Sequence, residues 1–313
     1  MRTVPDDIES RVGVCAHDIG LRGAGSETAR TALQANGRAL PAVTRHAHEP
    51  MPILDSLRPT PGLRVLVTAG AGGIGAAVAR AFHEAGSRVH VCDIDRSALD
   101  RMTSEIPGIT GSMADASIAA DVDLVFDDVQ GTLGGLDVLV SNAGISGPTG
   151  PIEAIDGTGW ERTIAVNLHS QYYFARRAVP LLKQSTAAPC LIAMGSVAGR
   201  LGYAFRTPYA SSKWAIVGMM KSLAIELGPH GIRVNAILPG TVEGERMRAV
   251  IAARAQSIGI DVDAMRQQYL NRISLRRMVG SDDVAALALF LCSPGARNLT
   301  GQAISVDGNV EYL

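Results

Sequence analysis

From residue 63 onward, short aliphatic and β-branched runs alternate with longer stretches in which apolar residues recur every three or four positions. Residues 65–68, 88–92, 138–140, 190–193, 233–238 and 303–306 read as buried strands, rich in aliphatic and β-branched residues. That is the pattern of strands covered on both sides of a parallel sheet. Residues 76–84, 121–131, 160–182, 209–227 and 282–291 carry the helical period, and several run into Gly or Pro, where helices stop. The alternation predicts an α/β fold, a doubly wound parallel sheet in one domain over residues 62–313. Residues 243–278 are expected to form a helical lid. Residues 1–61 hold no Phe, Tyr or Trp and sustain neither period, so they predict an extension with little packed structure. Within it, Asp6, Asp7, Glu9 and Asp18 argue against a mitochondrial transit peptide. Met51, just before the first strand, is the expected start of the natural product.

The first strand runs into Thr68-Ala-Gly-Ala-Gly-Gly-Ile-Gly75 and then directly into a helical pattern. Strand, glycine turn and helix N-terminus together make a cradle for phosphate. Glycine lets the backbone approach, and the unpaired N–H groups of the helix face the charge. Tyr209 and Lys213 lie four apart in a helical segment, one turn from each other on one face, with Ser196 thirteen residues upstream of the tyrosine. An ammonium beside a phenol favours the phenolate, which makes the tyrosine a usable proton donor or acceptor closer to neutral pH. Alone, such a pair is also compatible with an exposed amphipathic helix.

With the glycine turn upstream, the chain from about residue 63 to the C-terminus resembles the short-chain dehydrogenase/reductase family. The family's Thr-Gly-x-x-x-Gly-x-Gly corresponds to Thr68 through Gly75, with Ala69 in place of the first glycine and Gly70 expected to carry the turn. Its Asn-Asn-Ala-Gly corresponds to Ser141-Asn142-Ala143-Gly144, and its Pro-Gly turn to Pro239-Gly240. The resemblance implies a Rossmann fold and a catalytic set of Asn167, Ser196, Tyr209 and Lys213. Tyr209 would move the proton and Ser196 would hold the substrate oxygen. Lys213 would bind the nicotinamide ribose, and Asn167 would anchor a water. Read without the family, Ser196 is also a turn hydroxyl and Asn167 a helix amide bonded to backbone. The implied cofactor contacts are Thr68, Gly70, Gly72, Gly73, Ile74, Gly75, Asp93, Ile94, Asp115, Ala116, Asn142, Ala143, Gly144, Tyr209, Lys213, Pro239, Gly240, Thr241 and Val242.

Asp93 closes the second strand about twenty residues after the glycine turn, where a carboxylate accepts from ribose hydroxyls and repels a 2′-phosphate. NAD is therefore expected over NADP, with Arg96 the residue able to reverse that preference. Asp115, matching the family's adenine-contacting aspartate, could equally cap a helix. The expected reaction is hydride transfer between NAD(H) and a secondary alcohol or ketone. The alternatives are an NADPH-dependent 3-oxoacyl-thioester reductase and a non-catalytic dinucleotide-binding scaffold. Substrate loops are expected at 145–148, 197–206 and 243–278. The last carries Arg246, Arg248, Arg254, Arg266 and Arg272, which could face an acidic substrate such as a carboxylate or a phosphopantetheine thioester, although their ordinary place on a lid is against water or a neighbouring subunit.

Composition narrows the partners. Hydrophobic residues make up 47% and charged residues 19% of 313, with a net charge of -1 and a pI near 6.7. This balance gives no electrostatic attraction to nucleic acid or to an anionic membrane. No apolar run reaches the roughly 18 residues a bilayer requires, so a cytoplasmic enzyme of small molecules is expected. Cys15, Cys92, Cys190 and Cys292 fit neither a metal site nor a disulfide framework. The family implies a homotetramer, and the tail 309–313 is expected to tuck its apolar end into a neighbouring subunit.

Overall fold

The computed structural model describes residues 51–311; the expectations for residues 1–50, Cys15 among them, lie outside the described residues. After a single helical turn, α1 (Ile53–Ser56), strands and helices alternate: β1 (Arg64–Thr68), α2 (Gly73–Glu84), β2 (Arg88–Asp93), α3 (Arg96–Glu105), β3 (Ile109–Met113), α4 (Ala119–Leu133) and β4 (Val138–Ser141). There follow α5 (Gly157–Ile164), α6 (Ser170–Leu182), β5 (Cys190–Met194), α7 (Thr207–Leu227), β6 (Arg233–Pro239), α8 (Glu245–Ile258), α9 (Val262–Asn271), α10 (Ser281–Leu291) and β7 (Ala303–Val306). The seven strands pair in parallel in the order β3-β2-β1-β4-β5-β6-β7. The order reverses between β1 and β4. There the loops leaving the two strands run to opposite sides and open a crevice beyond the strands' carboxyl ends.

The alternation of side chains along each strand decides which helices cover which face. Leu66, Leu139, Leu191 and Val234 point to one side and pack with Val122 and Phe126 of α4, Phe174 of α6 and Ile216 and Met220 of α7. Val65, Val67, Val138 and Ile192 point to the other, where α2, α3 and α10 supply Val78, Phe82, Leu99 and Val284. Because both faces of the central strands are buried, apolar residues dominate them, and the polar exceptions are paired: His90 bonds Thr110 and Ser112, and Asn235 bonds the Leu299 carbonyl. Phe82 and Phe174 are fully buried, each worth about 1.5–3 kcal/mol relative to exposure.

Two features depart from the sequence expectation. Strand β3 and helix α3 carry too little apolar signal to be legible: β3 contains Gly111 and Ser112 and is half exposed at the sheet edge. Helix α3 is set by its cap, Asp95 accepting from the Ala98 N–H at 3.1 Å. The expected continuous helix 160–182 is interrupted by a π turn at Ala165–His169. Val310 is buried within its own chain, bridged to Ile273, and the apolar end of the tail lies outside the described residues. Among the described residues, no helix is long and apolar enough to cross a membrane.

Candidate active site

A cleft of about 530 Å³ lies at the crevice, lined at one end by Gly72, Gly73 and Ile74 with Asp93, and at the other by Ser196, Tyr209 and Lys213. The glycine end is built by backbone necessity. Gly72 has no side chain to cap α2, so the first N–H groups of the helix are left for a ligand. Space in front of Gly72 and Gly73 is open. Gly75, by contrast, is a packing glycine: a Cβ there would sit 2.0 Å from the Ala69 carbonyl oxygen and 2.7 Å from Asn142 Nδ2. The turn is not carried as the sequence suggests. Ala69 itself takes the left-handed conformation at φ +48, and Gly70 is required because a Cβ would lie 2.7 Å from Val91.

Thr68 and Asn142 join the two diverging loops. The Thr68 hydroxyl accepts from the backbone N–H of Asn142 and of Ala143, both at 2.9 Å, and Asn142 Nδ2 donates to the carbonyls of Thr68 and Ala69. Asp93 is held with its carboxylate at the cleft, accepting from Ala71 N–H at 3.1 Å and Asp95 N–H at 3.2 Å. An unpaired helix N-terminus, open space before two glycines and a fixed carboxylate one strand away are what the pyrophosphate and ribose of a dinucleotide require.

At the other end, Lys213 is buried and donates to the Met194 carbonyl at 2.9 Å, with its ammonium 5.7 Å from the centre of the Tyr209 ring. Burial pushes the Tyr209 phenol up, but Lys213, Arg246, a hydrogen bond with Ser196 and Arg206 outweigh it and hold the group below the usual tyrosine range. Burial pulls Lys213 down to about 8, with Tyr209 opposing and Arg246 adding to the fall. The Ser196 hydroxyl also accepts from Ala198 N–H at 3.2 Å. Asn167 sits in the π turn, fully buried: its Oδ1 accepts from Ile145 N–H at 2.7 Å, and its Nδ2 donates to the Ile145 carbonyl and the Ser212 hydroxyl.

Asn142, Gly144, Pro239, Gly240, Thr241 and Val242 also line the cleft. Thr68, Gly70, Gly75, Ala143 and Asn167 stand behind it as supports, and Ile94 is an exposed side chain outside the lining. Asp115 and Ala116 are outside the lining too; Asp115 pairs with Arg162 at 2.9 Å and accepts from Ser117. The expectation that the lid arginines face water or a neighbouring subunit fails for Arg254, which is buried against Tyr203 and Tyr269; Arg246 is exposed and lines the cleft. Tyr203, Arg206 and Tyr269 were not legible individually as cleft residues, since neither a loop position nor a place on helix α9 shows which side chains the tertiary fold brings to the site.

A doubly wound sheet, an open helix N-terminus at its switch point and a serine, tyrosine and lysine converging in the same cleft define a dinucleotide-binding class of α/β protein. A family model described as enoyl-(acyl carrier protein) reductase matches residues 69–310. The "Short chain dehydrogenase/reductase dpchG" of Colletotrichum higginsianum is 35% identical over 254 residues, covering 79% of this chain and 92% of that one. Galactitol 2-dehydrogenase of Agrobacterium fabrum is 33% identical over 244 residues, covering 78% and 95%. Among solved structures, 3-ketoacyl-(acyl-carrier-protein) reductase from Brucella melitensis complexed with NADH is 29% identical with a TM-score of 0.71, covering 80% of this chain and 98% of that one. The chain belongs to the short-chain dehydrogenase/reductase family of oxidoreductases.

Proposed function

We propose that this chain transfers a hydride between NAD(H) and a secondary alcohol or ketone, with residues 62–313 as the catalytic domain and the α8–α9 segment as its lid. The observation that carries the reading is the phenol of Tyr209, hydrogen-bonded to Ser196 and flanked by Lys213, in the same cleft as the open N-terminus of α2. When bound, the cofactor supplies or accepts the hydride at its nicotinamide. The protein does the rest. Gly72, Gly73 and Ile74 hold the pyrophosphate, and Gly240, Thr241 and Val242 lie along the nicotinamide side. Ser196 orients the substrate oxygen, Tyr209 takes or gives its proton, and the Lys213 charge favours the phenolate. Asn167 acts as a positioning residue: its amide fixes Ile145 at both backbone groups and holds Ser212, one residue before Lys213.

Two observations support NAD over NADP. The Asp93 carboxylate lines the cleft, whereas Arg96 lines a separate depression with Asp127 and Asp128. Thermal shift of the purified protein with NAD(H) and NADP(H) tests this, since a ligand that binds only the folded state raises Tm. A larger rise with NAD(H) is expected; preference for NADP(H) would remove Asp93 from its role and favour thioester or ketone reduction. Tyr209→Phe is expected to retain the cofactor-induced shift and lose at least about 100-fold in turnover, the lower bound of the usual acid–base contribution of about 10²–10⁴-fold. Full turnover in that variant would refute the tyrosine's role, and a protein without turnover on any alcohol or ketone would fit the scaffold alternative. We further propose a homotetramer, to be checked by sedimentation equilibrium.

A further inference from the structure

Beyond the glycine cradle and the tyrosine, the substrate end of the cleft holds two guanidinium groups whose charge no protein carboxylate answers. Arg206 is 2% exposed, lines the cleft and stacks between the rings of Tyr203 (5.2 Å) and Tyr209 (5.1 Å). Its Nη2 donates to the Ser146 carbonyl at 2.6 Å, and its Nε is buried with no partner. Arg254 is 7% exposed, packs on Tyr203 at 5.5 Å and against Tyr269 at 5.7 Å, and its Nη1 is likewise buried and unpartnered. The hydroxyls of Tyr203 and Tyr269 bond to each other at 2.7 Å, so neither ring offers its oxygen freely to a guanidinium. Among the described residues, no ion pair involves Arg206 or Arg254. Arg246 adds a third cation at the rim, donating to the Gly144 carbonyl at 3.1 Å. The carboxylates that also line the cleft are Asp93 at the glycine end and Glu243 and Glu245 at the rim, and Glu243 lies 3.9 Å from Arg266.

A buried charge without a partner is costly, and a buried N–H without an acceptor is rare in folded proteins. The arrangement makes sense when an anion enters the cleft. We propose that the substrate carries a carboxylate, received by Arg206 with Arg246 across the rim and Arg254 reinforcing from its place against the Tyr203 ring. This rests on the hydride-transfer reading and specifies its substrate class as a hydroxy acid or keto acid. The guanidinium carbon of Arg206 is 5.1 Å from the Tyr209 ring centre, so the carboxylate and the reacting carbon are separated by only a few bonds. A planar carboxylate can accept from Nε and a neighbouring Nη together, which an ammonium in the same place cannot reproduce.

The test uses the full chain loaded with NADH and three acids, 2-hydroxypropanoate, 3-hydroxybutanoate and 4-hydroxypentanoate, each beside its uncharged amide. With NADH bound, the alcohols cannot react, so calorimetry reads binding alone. At least one acid is expected to bind ten-fold or more tightly than its amide. Arg206→Met is expected to abolish that preference while leaving the amide's affinity in place, Arg206→Lys to restore part of it, and Arg246→Met to weaken the acid by a few-fold. Arg246→Met also keeps the test readable if Arg206→Met does not fold. Equal binding of acid and amide throughout the series, or an acid preference that survives Arg206→Met, overturns the inference. If NADH does not bind, NADPH replaces it; if neither binds, the hydride-transfer reading has failed instead, and the same acid–amide pairs are read on the protein without cofactor. Acid preference there sustains the carboxylate site, and its absence overturns it.

Discussion

Ala69 stands at φ +48, a conformation in which an L side chain costs roughly 1–2 kcal/mol and glycine costs little. The family pattern places glycine at this position, and the residue's carbonyl oxygen closely faces the Cα of Gly75. Ala69→Gly is therefore expected to relieve the strain and raise stability by about 0.5–1 kcal/mol, less the entropy glycine adds to the unfolded chain. Urea denaturation measures it; a destabilised variant would mean that the alanine methyl contributes more by contact than it costs in strain. A second prediction at this scale follows from the cations around Tyr209. Its phenol is held below the ordinary value of 10 by Lys213, Arg246 and Arg206 acting against burial. The rate of alcohol oxidation should then fall as pH drops through the lowered tyrosine pKa, because the base becomes protonated. Ketone reduction, which needs the protonated form, should show the opposite dependence. Arg246→Met removes one of the cations and is expected to move the oxidation profile to higher pH. A profile that stays in place would show that Tyr209 is not the group being titrated.

Elements explain why some of this architecture was legible and some was not. Six of seven strands stand out because aliphatic and β-branched residues dominate them, even where a polar residue such as His90 or Asn235 interrupts the run. Strand β3 fails that test, being an edge strand with Gly111 and Ser112 inside it. The π turn at 165–169 is invisible for a different reason, since one extra residue in a turn leaves the apolar period nearly intact. Motif residues such as Tyr209 and Lys213 were legible because their spacing is local to one helix. Arg206 was not, because its role depends on rings contributed by two segments. The π turn has a measurable consequence. Asn167 reaches Ile145 from it and pairs both backbone groups of that residue. Asn167→Ala removes the partners of the part-buried Ile145 N–H and C=O, expected to cost about 1–2 kcal/mol. It should lower kcat by loosening the segment beside Gly144 and Lys213, with the NADH-induced thermal shift largely kept. A variant with unchanged stability and unchanged kcat would show that the segment holds itself.

At the scale of the whole molecule, two polar knots tie elements together away from the cleft, and they make stability depend on acid in two consecutive windows. His90 in β2 bonds Thr110 and Ser112 of β3, and Ser112 in turn donates to Asp128 of α4. Burial holds His90 neutral and pulls it down to about 4, against the opposing charge of Asp128. The unfolded chain takes up this proton near pH ~6.5 and the folded chain only near 4, so the unfolded state gains on the folded one between those values. The stabilisation is complete above about pH 6.5 and falls by roughly 3 kcal/mol as pH drops to 4. The second knot binds Asp137 to the backbone and guanidinium of Arg64 and to the Ser185 hydroxyl, joining β1 to the residue before β4 and to the turn after α6. Burial would raise the Asp137 carboxyl, but Arg64 and Ser185 prevail and hold it below its ordinary 3.8. Its contribution is present above the unfolded carboxylate range and is lost only as pH falls through the lowered value, beneath the histidine window. Denaturant midpoints from pH 8 to 3 should show a first decline between 6.5 and 4 and a second below it. His90→Gln should flatten the first and leave the second, and Asp137→Asn should do the reverse. If the first decline keeps its slope in His90→Gln, the proton uptake belongs to other groups, and the buried histidine is not what makes this fold sensitive to mild acid.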